Sequence, residues 1–203
     1  MAFFGAGEAK KATAAARLAG RLPPGQSLTE KWPVLTYGDT PVVPTDRWRL
    51  KVVGLLEREL DLDWQQFLAL PQTTLTADFH CVTGWSRFDN AWEGVLFTDL
   101  MKEAGLRPEA RFVAMHCYGG YTTNLPLASM LDADVLLAHR HDGRDLPPEH
   151  GGPVRVVVPK RYAYKSAKWI GGLALTADNQ PGFWEVRGYH NEADPWKEER
   201  YSF

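Results

Sequence analysis

Cys81 stands in the stretch DFHCVTGWSRF, residues Asp78 to Phe88, behind a Thr-rich alternating segment and just ahead of Gly84. A thiol at a strand end beside a glycine turn faces whatever cleft the turn borders. Four chemistries suit it: a small buried apolar residue, a nucleophile, a zinc ligand, or the anchor of a redox metal. A nucleophile needs a base, and His116, His139, His141, His150 and His190 are present without a spacing that marks one of them. Zinc fits poorly. The His-Cys pair at 80–81 recurs at 116–117, but neighbours on a strand point to opposite faces, and structural zinc ligands are spaced two to four residues apart.

Two further stretches carry chemistry. In EHGGPVRVVVP, His150 and Arg155 flank a Gly-Gly-Pro turn that enters an apolar run. Gly151 and Gly152 would let the backbone approach a ligand. The alternative is a plain turn with two polar residues. In PKRYAYKSAKWIGG, the cations Lys160, Arg161, Lys165 and Lys168 crowd one loop, with Ser166 among them and Tyr162, Tyr164 and Trp169 interleaved. Such donors suit a phosphate oxyanion, and the rings suit a flat heterocycle. A solvated basic face is the competing reading.

These residues need a scaffold. The chain has 203 residues, 44% hydrophobic and 24% charged, with a formal net charge of −2. That is enough for one well-buried domain, and it argues against a nucleic-acid binder. No run reaches the roughly 20 apolar residues of a membrane span. Two cysteines make no disulfide framework, and a Cys81–Cys117 bridge is not expected. The N-terminal ATAAARLAG is interrupted by Arg17 and carries no twin arginine, so a cytoplasmic location is expected.

Alternation and punctuation predict the elements. An Ala-rich amphipathic arm ends at Pro23-Pro24-Gly25, and an irregular Pro-rich segment spans 32–44. Strands are expected near 48–56, 73–81, 110–117, 153–159 and 169–176. Helices are expected at 63–70, with Asp61 or Asp63 as N-cap, and at 96–106, with Thr98 as N-cap and Gly105 just past the end. Residues 125–146 read as a short helix, a strand and an Asp142-Gly143 hairpin, and a polar tail follows residue 179. Short mixed elements without β-α-β alternation predict an α+β fold, with an arm at 1–21 and one domain at 22–203.

Taken in order, LPPGQSLTEKWPVLTYGDTP, FHCVTGWS and HGGPVRVVVPKRYAYKSAKWIGGL resemble the molybdopterin-binding domain of the sulfite oxidase superfamily. Within it they are most similar to the small proteins that include the catalytic subunit of bacterial methionine sulfoxide reductase. The resemblance covers the chain from about Leu22 onward. It implies the sulfite oxidase fold of mixed sheets with short helices, and a molybdenum held by one molybdopterin dithiolene and Cys81. It also implies cofactor contacts from His80, His150, Arg155, Lys165, Ser166 and Lys168, and electron exchange with a partner protein. The chain departs from true sulfite oxidases where Val82-Thr83-Gly84-Trp85-Ser86 replaces paired arginines, and Arg87 comes only later. Trp85 and Tyr121 are therefore expected at a less cationic pocket for a small S- or N-oxide. A non-catalytic pterin binder, a true sulfite oxidase and a metal-free cysteine hydrolase are the alternatives.

Overall fold

Alternating burial along Arg49–Gly54 is the pattern on which the architecture is built: Leu50 and Val52 point inward while Arg49 and Lys51 face out. The computed structural model describes residues 6–202. In chain order its elements are α1 (Ala6–Leu18), β1 (Ser27–Leu28), β2 (Arg49–Gly54), β3 (Leu60–Asp63), α2 (Trp64–Ala69), β4 (Thr73–His80), β5 (Trp85–Leu96), α3 (Phe97–Ala104), β6 (Phe112–Cys117), β7 (Thr122–Pro126), α4 (Leu127–Met130), β8 (Leu136–His141), β9 (Arg144–Asp145), β10 (Arg155–Val157) and β11 (Ile170–Thr176).

The strands form two mixed sheets. One runs β3-β2-β11-β6-β7, with β2 and β11 parallel and the other neighbours antiparallel. The other runs β1-β5-β8-β10, with β4 beside β5 and β9 beside β8. Helix α3 lays Phe97, Leu100, Met101 and Ala104 onto the main core, where they meet Trp48, Val113, Met115 and Leu173. Each fully buried Val, Leu, Phe or Met among them contributes roughly 1.5–3 kcal/mol. Trp48 is both packed and satisfied, since its Nε1–H donates to the Ile170 carbonyl at 2.9 Å. A smaller core of Phe79, Trp92, Leu136, Leu146 and Val157 lies under the second sheet. This is the α+β fold of mixed sheets and short helices that the sequence predicts.

Several local expectations hold in detail. Asp63 caps α2 through a reciprocal capping box with Gln66. Gly105 closes α3 at φ 70°, its N–H donating to the Met101 carbonyl. Of the arm, residues 1–5 lie outside the described residues and Ala6–Leu18 is helical. Others are corrected. Thr98 lies inside α3, and the cap position is Leu96, with no side-chain capping bond. Residues 85–95 carry no expected element, yet they belong to the twelve-residue strand β5. Asp89 (φ 55°) sits beside a register shift between β4 and β5. Gly94 is required because a Cβ there would stand 2.0 Å from the Leu137 carbonyl oxygen of β8.

Candidate functional site

A cavity of about 870 Å³ is walled by stretches of chain far apart in sequence. Cys81 and Thr83 come from the β4–β5 loop, Trp85 from the start of β5, Tyr121 from the β6–β7 turn, and His150 and Arg155 from either side of the Gly-Gly-Pro turn. Ser166 and Lys168 come from the loop before β11, and Tyr37, Phe183 and Trp184 from the irregular segments.

The loop after β4 is tight. The Cys81 N–H donates to the Trp85 carbonyl at 2.8 Å, the Gly84 N–H donates to the Cys81 carbonyl at 3.0 Å, and Gly84 takes φ 99°. This turn places Cys81 in the cavity lining; the residue is 5% exposed, and its Sγ lies 3.1 Å from the Thr83 hydroxyl. Burial raises the thiol's pKa, while the Thr83 hydroxyl and the Arg200 charge pull it down. Cys81 and Cys117 are both free thiols.

Arg155 is 3% exposed. Its guanidinium donates to the His150 and Ser166 carbonyls, both at 2.9 Å. The rings of Trp32, Phe79 and Trp92 surround it at 5.9, 5.1 and 5.6 Å. Lys168 donates to the Leu35 and Glu149 carbonyls and to the Thr36 hydroxyl. Burial holds Arg155 down to about 9 and Lys168 down to about 8. Among the described residues neither forms an ion pair with a carboxylate. Two cations on one cavity wall with only neutral partners bear an unbalanced desolvation cost, which an anion in the cavity offsets. Ser166 Oγ accepts from the Val158 N–H at 2.9 Å, leaving its own proton to donate. His150 stacks on Trp32 at 3.6 Å and 9°, and burial lowers it to about 4, so at neutral pH it has one donor and one acceptor.

Two expected contacts lie elsewhere. His80 is off the cavity wall: it is buried, its Nδ1 is 2.8 Å from Ser86 Oγ, and burial lowers it to about 4. Lys165 is wholly buried and turned away, pairing with Glu185 and donating to the Asn124 carbonyl at 2.8 Å. Gly151 and Gly152 serve the fold rather than ligand approach, since Cβ atoms there would meet Lys168 at 2.8 Å and the Leu146 carbonyl at 2.0 Å. The Tyr121 ring lines the cavity, but its hydroxyl is spent on the Tyr164 carbonyl at 2.6 Å. Trp85 does line it. No described cluster of three or more His, Cys, Asp or Glu could hold a metal ion, so zinc finds no ligand set there. Thr83 and Trp32 were missed; nothing in their spacing announces a hydroxyl beside the thiol or a stacking shelf under His150.

A thiol and two unbalanced cations on one cavity suit an anionic, thiolate-held group. Residues 37–184 match the family described as the oxidoreductase molybdopterin binding domain. The chain belongs to that family. It is a molybdopterin-binding oxidoreductase, and its site fits the group by donor chemistry. It is 45% identical to the oxidoreductase YuiH of Bacillus subtilis over 91% of this chain and 93% of that protein. It is 32% identical to YedZ1 of Azospira oryzae, named as a protein-methionine-sulfoxide reductase subunit, over 82% of this chain and 64% of that one. The crystal structure of the sulfane dehydrogenase SoxCD from Paracoccus pantotrophus shares the fold, with a TM-score of 0.66 at 23% identity, covering 77% of this chain and 46% of that one. Among the described residues no helix is long and apolar enough to cross a membrane.

Proposed function

We propose that this molybdopterin-binding oxidoreductase transfers an oxygen atom to or from a small, uncharged S- or N-oxide and exchanges electrons with a partner protein. When bound, the cofactor supplies the two-electron redox step, with molybdenum as its metal. Cys81 Sγ would hold the metal, and the Thr83 hydroxyl can donate to the thiolate. Arg155, Ser166 and Lys168 would hold the anionic cofactor, and neutral His150 would position it by a single directed bond. Trp85, Tyr121, Tyr37 and Phe183 give the remaining wall an aromatic surface that excludes water and favours a neutral substrate.

The observation that carries the substrate reading is the fate of Arg87. It lies closest after Cys81 of all the arginines, yet its guanidinium pairs with Asp142 at 2.6 Å, and the residue is absent from the cavity lining. With Arg87 held outside the lining, and Arg155 and Lys168 assigned to the cofactor, an uncharged oxide suits the wall better than sulfite. The YedZ1 name, which assigns a subunit of a sulfoxide reductase, supports the same class.

Protein expressed with molybdate should carry about one molybdenum per chain. Cys81→Ser should lose the metal, or its oxide-reducing activity with an artificial electron donor, while remaining folded. Full molybdenum with an unchanged spectrum in that variant would sink the assignment.

A further inference from the structure

The residues that grip the Cys81 loop from outside lie beyond the segment matched to the family. Gln26 is fully buried. Its Nε2 donates to the Cys81 carbonyl at 3.0 Å, and its Oε1 accepts from the Ser86 hydroxyl at 3.3 Å. Ser86 Oγ in turn accepts from His80 Nδ1 at 2.8 Å. Because the Ser86 hydroxyl gives its proton to Gln26, this order of bonds places a proton on His80 Nδ1. The chain is then His80 to Ser86 to Gln26 to the carbonyl of Cys81. Strand β1 and the residue after it add two bonds, Ser27 N–H to the Gly84 carbonyl and Thr29 N–H to the Ser86 carbonyl, both at 2.9 Å.

The opposite side of the loop is held by Arg200. Its guanidinium donates to the Val82 carbonyl and lies 4.9 Å over the Tyr162 ring. The two grips touch: a Cβ on Gly25 would meet Glu198 at 2.6 Å and Arg200 at 2.8 Å. The carbonyls of Cys81, Val82, Gly84 and Ser86 are thus each bound by a group from the 26–29 segment or from Arg200. The turn's own backbone bonds are the two given above, Gly84 N–H to the Cys81 carbonyl and Cys81 N–H to the Trp85 carbonyl.

We propose that Gln26 and Arg200 are positioning residues that clasp the Cys81 loop from both sides and set the direction in which its thiolate meets the metal. The proposal rests on the cofactor reading above. Neither residue lines the cavity, so neither touches substrate. They act through the backbone that carries Cys81, as outer groups orient a metal ligand elsewhere.

The test uses protein from molybdate-supplemented cells, as wild type, Gln26→Leu, Arg200→Met and Arg200→Lys. Two readings are taken: the thiolate-to-metal charge-transfer band at equal molybdenum content, and hydrogen exchange of the Cys81 and Gly84 amides. Gln26→Leu and Arg200→Met should shift the band and speed exchange about tenfold, the effect of one buried hydrogen bond. Arg200→Lys, which keeps a cationic N–H donor on a long side chain, should restore both. An unmoved band, with or without faster exchange, would reduce the pair to a plain structural brace and overturn the proposal. Wild-type protein without molybdenum would remove the cofactor reading instead. Exchange would then judge the clasp alone, with unchanged rates overturning it. Should Gln26→Leu fail to fold, Arg200→Met and Arg200→Lys decide by the same readings.

Discussion

Replacing Lys165 by Met separates a structural lysine from a cofactor-gripping one. The Lys165 and Glu185 side chains are 0% and 3% exposed, and the ammonium also donates to the Asn124 carbonyl. Burial lowers the lysine's pKa and Glu185 pushes it back up. Lys165→Met keeps the volume but leaves the buried Glu185 carboxylate without its cation, with the Thr123 hydroxyl still donating to Oε1 and Oε2 already buried without a partner. Breaking a buried pair from one side costs about 3–5 kcal/mol. At roughly 2–4 °C per kcal/mol for a chain of this size, the melting temperature should fall by about 6–20 °C. The double variant Lys165→Met/Glu185→Leu, which removes both charges, should recover most of that loss. Thermal unfolding by circular dichroism and molybdenum content are measured on the same samples. The single variant should keep its molybdenum below its melting temperature. An unchanged melting temperature with lost molybdenum would refute this reasoning, because Lys165 would then have to turn into the cavity.

Two further outcomes follow from the geometry. Gly94→Ala should cost about 3 kcal/mol, because the new methyl group meets backbone rather than a yielding side chain; an unshifted urea midpoint would contradict the close approach of β5 and β8. Burial lowers His80, His141 and His150 from 6.5 to about 4, so the unfolded chain takes up their protons first as pH falls. Their contribution to stability is complete above pH 6.5 and is lost as pH drops toward 4, at up to about 1.4 kcal/mol per pH unit for each imidazole. Denaturant titrations of metal-free protein between pH 7 and 4.5 measure that slope, and a flat profile would contradict the buried neutral imidazoles.

How much of this was legible depends on the range of the interaction. Asp63 could be read as a cap because its partner, Gln66, is three residues away. The apolar run around Val156 could be read as a buried strand because its own composition demands burial. Strand β5 could not, because the reason for Gly94 lies across the sheet at Leu137. In the site, Cys81, Arg155, Ser166 and Lys168 carried signals in their own motifs and the fold brought them to one cavity. Lys165 carried the same local signal, yet Glu185 claimed it from twenty residues downstream. Charge in a loop motif shows what a side chain can bind; which way it turns is settled by the strongest buried partner.

The contact of Lys168 with the Leu35 carbonyl spans 133 residues. Closing a loop of that length costs about 2 kcal/mol more than closing one of ten residues, and no single hydrogen bond to an exposed segment repays it early. The sheets must therefore be in place before this segment can settle over the cavity. In time order, the wall formed by residues 35–36 comes last, and the chain passes through a stage in which the thiol and Arg155 are already arranged while that side stands open. Refolding of protein carrying a fluorescent label at residue 35 should show the label's signal settling after amide protection has appeared in β5 and β8.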